Sequence, residues 1–292
     1  MSIATLMNHY VEAQQLDHLD GIKETGIPGV RFYRAPHSSA RQPLLYQSGI
    51  IIIGQGRKLI HLGEHSVGYG AGDYLVLGVP LPLECEAFTD GDKPILGLVI
   101  DIEPAVLHKL VGLIEQQTTA NDGLNTPSRG VHSVALDPAM ELSVERLLTA
   151  MACPLDSAVL GQHLLEEIIY RVLMGPQGNT LFGLAQQDGH YARIAKALNR
   201  VHSDYAAPIT IDHLADEANM SVSAFHRAFR QVTLESPLQY LKKVRLVKAK
   251  ELILLEGKRA NDAARLVGYT SPSQFSREFK RHFNRSPSAM RA

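Results

Sequence analysis

Hydrophobic and polar positions repeat with different periods along this chain, and the changes of period mark out its elements. Apolar positions from Ile3 to about Leu19 recur at helical spacing until Asp20-Gly21 closes the run. From Pro43 to Ile102 the pattern shortens to β-rich runs at 44–53, 58–62, 74–79, 83–88 and 95–102. Turn-forming stretches separate them: Gly54-Gln55-Gly56, Gly63-Glu64, Gly68 to Asp73, and Thr89 to Asp92. Their glycines supply the positive φ angles that tight hairpins need. Short strands at this spacing predict a β-sandwich or small barrel.

Helical spacing then returns. Asp101 or Glu103, with Pro104, opens a helix running to about Gln117, and a loop rich in Thr, Asn, Gly and Pro covers 118–129. Helices are expected at 138–152 and 156–174, with Cys153-Pro154 between them. The 156–174 helix carries more apolar surface than one small barrel needs, which fits either a dimer contact or packing within its own domain. Gly175-Pro176-Gln177-Gly178-Asn179 ends it, and the polar stretch 177–189 is the expected linker. From His190 onward the pattern is helical almost throughout.

That last segment contains a repeat. Phe225-His226-Arg227-Ala228-Phe229-Arg230 and Ser236-Pro237 recur 50 residues later as Phe275-Ser276-Arg277-Glu278-Phe279-Lys280 and Ser286-Pro287. Upstream, Leu214-Ala215 and Ala218 recur as Ala263-Ala264 and Val267 at an offset of 49, so a one-residue slip falls in the turns before Ser221 and Ser271. Two copies of short helix, tight turn and second helix are predicted, at about 211–232 and 260–283. In the first copy Phe225, Ala228, Phe229 and Val232 form an inward stripe, leaving Ser223, His226, Arg227 and Arg230 outward. In the second, Phe275 and Phe279 face in, while Ser273, Ser276, Arg277 and Lys280 face out.

Charge sharpens this picture. The whole chain has net charge −1, yet residues 187–292 hold 18 Lys and Arg against 10 Asp and Glu, net +8, leaving net −9 in the first 186 residues. A basic helical module on an acidic partner domain points to a polyanion. An outward stripe of this kind fits the major groove, where Arg bonds a guanine edge with two N–H groups and Ser or His bonds other edges. Arg230, Lys280, Arg281 and the amides near Ser221 and Ser271 would instead meet phosphates. A merely solvated basic face remains the alternative for either helix alone.

Composition excludes other classes. Of 292 residues, 45% are hydrophobic and 20% charged, an ordinary globular balance rather than a disordered one. No apolar run is long enough to span a membrane, and no secretory leader pattern opens the chain. Two cysteines, Cys85 and Cys153, build no disulfide framework and suit a reducing, cytoplasmic setting.

The basic half closely resembles the AraC/XylS family of bacterial transcription regulators. The resemblance covers about 209–291, with 190–202 as a leading helix, and rests on Leu214-Ala215, Ser221, Phe225-x-Arg227-x-Phe229-Arg230, Ser236-Pro237 and Tyr240. It continues through Arg245-Leu246-x-x-Ala249, Ala263-x-x-x-Val267-Gly268-Tyr269 and Phe275-Ser276-Arg277-Glu278-Phe279-Lys280. It implies a linker helix that sets two recognition helices into successive major-groove segments. By position, the base-reading candidates are Ser223, His226 and Arg227, then Ser273, Gln274, Ser276 and Arg277. Where the family usually has Gly, this chain has Leu234 and, in the second copy, Asn284; Leu tolerates a left-handed helix end poorly, so the first helix terminus is expected to differ.

The acidic half resembles the family's N-terminal domains through Gly54-Gln55-Gly56-Arg57-Lys58, Leu62-Gly63, Tyr69, Gly72-Asp73-Tyr74-Leu75 and Pro80 to Pro82. Such domains are cupin-like barrels that bind a small effector, followed by helices that dimerise. The expected fold is therefore multidomain α+β: a cupin-like barrel at about 30–102 and helices at 103–175 forming an effector and dimer domain, 1–176. A linker, 177–189, leads to an all-α DNA-binding domain, 190–292, with two helix-turn-helix motifs. Tyr46, His61 and Cys85 are the effector-pocket candidates, Cys85 either sensing an electrophile or lying inert in the core. His61, Glu64, His65, Glu84 and Glu86 are of residue types that ligate metals, but the expected turn at Gly63-Glu64 and the lack of a His-x-His pair argue against a metal. No cofactor and no catalytic residue is expected. The partners expected are promoter DNA, a small organic effector, a second copy of the chain and, for an activator, RNA polymerase. A metal-dependent cupin enzyme with an appended DNA-binding module is the alternative.

Overall fold

The protein is described from a computed structural model covering residues 1–62, 65–117, 131, 133–186 and 189–290. The chain divides into two compact units. Met1–Arg41, Ser48–Gly78 and Cys85–Gln186 form the first; Gln42–Gln47, Val79–Glu84 and Gln187–Ala292 form the second.

The first unit opens with α1 (Ile3–Ala13), whose first turn is capped by the Ser2 hydroxyl accepting from the Thr5 N–H. The helix stops well before Leu19. Gln15 turns left-handed at φ 54°, and the Leu16 N–H donates to the Val11 carbonyl at 2.9 Å, closing the end while Leu16 buries its side chain.

The strands follow as β1 (Gly21–Glu24), β2 (Val30–Ala35), β3 (Ser39–Tyr46), β4 (Gly49–Gln55), β5 (Arg57–Leu62), β6 (His65–Gly70), β7 (Asp73–Leu77), β8 (Leu81–Phe88) and β9 (Ile95–Ile100). A short β10 (Ser133–Ala135) comes after α2 (Pro104–Gln117). The run 44–53, expected as one strand, is two: Gly49 sits at φ 150°, where a Cβ would lie 2.5 Å from the Ile100 carbonyl oxygen. Residues 68–70, expected as the start of a turn from Gly68 to Asp73, belong instead to β6, which pairs with β5 as a hairpin in register Leu59↔Gly68 and Ile60↔Val67. The expected turn at Gly63-Glu64 and the expected 118–129 loop lie outside the described residues.

One sheet runs β1-β2-β9-β4-β7-β10 and the other β3-β8-β5-β6, every described ladder being antiparallel. Strand β4 is buried along its whole length because the six-stranded sheet is covered on both faces. Phe32, Ile50, Ile52, Val76 and Leu98 join one core with α1, α3 (Pro138–Met151) and α4 (Pro154–Met174). Ile51, Ile53, Leu75 and Leu77 alternate to the opposite face and are buried as well. Each fully buried Ile or Phe contributes about 1.5–3 kcal/mol, so this layer carries much of the unit's stability.

Part of the expected linker is structured. Helix α5 (Gly178–Ala185) returns directly onto α4 and puts Leu181, Phe182 and Ala185 into that core. The reversal requires glycine, since a Cβ on Gly178 would fall 2.0 Å from the Leu173 carbonyl oxygen.

The second unit carries α6 (His190–Ser203), α7 (Ile211–Glu217), α8 (Val222–Thr233), α9 (Pro237–Leu254), α10 (Ala260–Leu266), α11 (Pro272–Phe283) and α12 (Pro287–Met290). Both α8 and α11 pack on the long α9. No helix among the described residues is long and apolar enough to cross a membrane.

Candidate nucleic-acid interface

The α7–α8 and α10–α11 pairs are built by the same local devices. Each turn carries a left-handed residue, Asn219 at φ 49° and Gly268 at φ 86°, followed by an N–H that reaches back five residues. Met220 donates to Ala215 and Tyr269 to Ala264, each at 2.9 Å, which satisfies carbonyls at the end of the first helix. Ser221 and Ser271 then cap the second helices, accepting from the N–H groups of Ala224 and Gln274. Gly268 is doubly constrained, because a Cβ there would lie 2.5 Å from the Ala206 carbonyl oxygen.

The second helices turn aromatic stripes inward. Phe225 and Phe229 have ring centroids 5.4 Å apart, and Phe229 meets Tyr240 of α9 edge-on at 5.4 Å. Phe275, Phe279 and Phe283 stack along α11 at 5.3 and 4.6 Å, with Tyr269 against Phe275. The opposite face is left to solvent. Ser221, Ser223, His226, Arg227 and Arg230 are exposed on the first copy; Ser273, Gln274, Arg277, Lys280 and Arg281 are exposed on the second, with Ser271 and Ser276 half-buried. His226, Arg227, Arg230 and Ser236 line one shallow concavity, and Gln274, Arg277, Glu278 and Arg281 another. Among the described residues neither Arg227 nor Arg277 has an ion-pair partner, so each guanidinium fork is open to bidentate bonding.

Other basic groups are structural. Arg245, part of the sequence signature in α9, donates from Nε to the Tyr205 carbonyl at 2.7 Å and from Nη2 to the Ala207 carbonyl at 2.9 Å. His202 hydrogen-bonds the Tyr240 hydroxyl at 2.7 Å, and burial, then the Lys248 charge, lower its pKa to about 4. Burial, then Lys243, bring His282 to about 4 as well. The first helix terminus keeps the left-handed geometry that Leu234 was expected to alter: Leu234 adopts φ 64° and Asn284 φ 55°. Its N–H donates to the Arg230 carbonyl at 2.9 Å, so the closing bond overrides the residue's own preference.

The effector-pocket candidates fall apart in the fold. His61 pairs with Glu86 at 2.6 Å, whereas Cys85, next to Glu86 on β8, is buried and points to the other face of that strand. Tyr46 is buried at the end of β3 in a segment belonging to the second unit. What shares the Cys85 side is Lys58, which sequence reading passed over. Its ammonium lies 3.6 Å from the Tyr33 ring centroid and feels the Cys85 thiol, bridging β5 to β2 across the two sheets. Burial lowers its pKa to about 8. The available signal was the alternation of Lys58 with Ile60 along β5. Among the described residues no three His, Cys, Asp or Glu side chains converge on a metal geometry; Glu64 lies outside them.

Comparison with known proteins decides the family. The profile of the AraC-type transcriptional regulator N-terminus matches residues 26–180, more than half of the chain, and a helix-turn-helix domain profile matches 214–292. The chain belongs to the AraC-type transcriptional regulators. Its relatives include the HTH-type transcriptional regulator AlkR of Acinetobacter baylyi, 36% identical over 97 residues, 33% of this chain and 32% of that protein. The lactose operon transcription activator of Staphylococcus xylosus is 31% identical over 98 residues, 34% of this chain and 35% of that one. The chain thus spans about a third of the length of these curated relatives. Among solved structures, Vibrio cholerae ToxT with a bound unsaturated fatty acid is 15% identical, covering 89% of this chain and 92% of that one at a TM-score of 0.58. An apo ToxT variant from the same species is 12% identical, covering 91% and 97%, at 0.60. That likeness is one of fold: an antiparallel two-sheet unit with flanking helices and a helical unit with two helix-turn-helix motifs.

Proposed function

We propose that this AraC-type regulator binds promoter DNA sequence-specifically through α8 and α11 and is controlled by a small organic effector held between the sheets of the first unit. The carrying observation is the pair of capped second helices that bury aromatic stripes and leave matching Ser, His, Gln and Arg side chains in solvent. Ser223, His226 and Arg227, with Ser273, Gln274, Ser276 and Arg277, read base edges; Ser221, Arg230, Ser271, Lys280 and Arg281 meet phosphates. Effector and dimer functions belong to residues 1–176 and DNA reading to 190–292. Homodimerisation through 138–174 is supported by exposed Leu155, Val159, Leu160, Tyr170 and Met174 on α4. RNA polymerase is the further partner if the outcome is activation, and the site of action is the cytoplasm.

The effector reading draws on the Lys58 ammonium over the Tyr33 ring and on apolar Ile51, Ile53 and Leu75, buried on the sheet face opposite the helices, groups suited to a mostly apolar molecule with one acidic or polar end. The bound fatty acid of ToxT is of that kind. Nothing in the relatives favours an enzyme with an appended DNA-binding module.

Selection of bound sites from random duplexes tests the reading. A defined consensus is expected, bound roughly 10³–10⁷ times more tightly than unrelated DNA. Arg227→Ala or Arg277→Ala should relax preference at one base position by about 1–3 kcal/mol. Binding without sequence preference would leave only an architectural nucleic-acid protein.

A further inference from the structure

One side chain in the proposed interface is not free to choose its orientation. Glu278 lies on α11 one turn beyond Gln274, and its side chain is only 14% exposed. Three donors converge on it: Lys242 Nζ on Oε1 at 3.1 Å, Tyr269 Oη on Oε2 at 2.8 Å, and Gln274 Nε2 on Oε1 at 3.2 Å. Burial by itself would raise the Glu278 pKa, but the bonds from Tyr269, Gln274 and Lys242 outweigh it and hold the group below the usual carboxylate range. An ionised carboxylate only accepts, so the part of the Gln274 amide that faces it must be the NH₂. Lys242 comes from α9 and Tyr269 from the turn before α11, so the anchor is a tertiary one.

We infer that Gln274 reads an adenine, with Glu278 as the positioning residue that sets its amide. This rests on the DNA-binding reading above. With one N–H spent on Glu278, the amide has its second N–H and its carbonyl oxygen left for the groove. That donor–acceptor pair matches adenine N7 and N6–H₂, and it mismatches guanine, whose N7 and O6 both accept. An unanchored glutamine would flip to offer its NH₂ to either purine. The position also suits base reading, being in the first turn of a recognition helix. The anchor is not a requirement of the motif: the first copy has Ala224, Ala228 and Met220 where the second has Gln274, Glu278 and Tyr269, and it builds the same capped turn.

The test is base-resolved. Sites are selected from random duplexes with the full-length protein, and the affinity of each single-base variant of the consensus is measured for wild type, Gln274→Ala and Glu278→Ala. Gln274 is exposed, so its replacement is mild for folding, and thermal unfolding monitors both variants. The expected result is one A·T position whose preference drops by about tenfold or more in Gln274→Ala. Glu278→Ala should relax that same position toward tolerance of G·C, while the position lost in Arg277→Ala keeps its preference in both. If Gln274→Ala leaves every preference unchanged, or relaxes a G·C position, the inference is overturned while the DNA-binding reading stands. A wild-type protein that selects no consensus overturns the DNA-binding reading itself. Should Glu278→Ala fail to fold, the Gln274→Ala result alone decides the base assignment.

Discussion

At the scale of single residues, burial makes three titratable groups behave unlike their free forms. His202 and His282 both hold folded pKa values of about 4, against an ordinary 6.5. Above about pH 6.5 both are neutral folded or unfolded, and they cost nothing. As pH falls from about 6.5 to about 4, the unfolded chain takes up protons that the folded unit refuses. Stability should then drop by on the order of 1 kcal/mol per pH unit for each histidine, levelling off below about 4. Urea unfolding at pH 7, 6 and 5 measures this, and His282→Phe should flatten the slope. Its Nε2 is buried without a hydrogen-bond partner among the described residues, so little is lost by the replacement. Lys58 runs the other way in function. Burial opposes its ammonium, so Lys58→Met should raise stability by roughly 1–3 kcal/mol at neutral pH while weakening binding of an acidic effector. Calorimetric titration with a long-chain fatty acid, beside thermal unfolding, separates those two effects.

At the scale of elements, the two helix-turn-helix copies differ in how much strain each tolerates. Both need a left-handed residue in the turn, and Asn219 and Gly268 meet that need by different routes. Gly268 also approaches the Ala206 carbonyl too closely for any side chain. Gly268→Ala should therefore lower the thermal midpoint markedly, by more than the roughly 1–2 kcal/mol of left-handed strain alone, whereas Asn219→Gly should be nearly neutral. Leu234 offers the reverse change. It is 44% exposed and held at φ 64°, so Leu234→Gly sheds the strain, loses little packing and should stabilise by about 1 kcal/mol in denaturant unfolding.

At the scale of the whole molecule, residues 1–186 carry net −9 and residues 187–292, which hold both helix-turn-helix motifs, net +8. On the proposed reading, DNA affinity depends on how many cations of α8 and α11 reach phosphates. Arg230→Ala and Lys280→Ala should each weaken all sequences alike and reduce the slope of log affinity against log salt by about 0.9. An effector acts on this molecule only through a difference in its affinity for two arrangements, and a coupling of about 1–3 kcal/mol is enough for a switch.

Short-range order along the chain carries the local half of this architecture. The caps at Ser221 and Ser271, the inward Phe pairs and the outward Arg227 and Arg277 all follow from spacings of three and four residues. A 50-residue repeat makes them visible twice. Tertiary structure decided the rest. Alternation along β5 and β8 sorts Lys58 from His61 and Cys85 from Glu86, but only the facing sheet determines which set lies inside. Helix α5 was hidden in a polar stretch because Leu181, Phe182 and Ala185 become a core contact only once α4 lies alongside. The orientation of Gln274 depends on Lys242, 32 positions earlier in the chain, because an amide's direction is set by whatever donors and acceptors the fold brings to it.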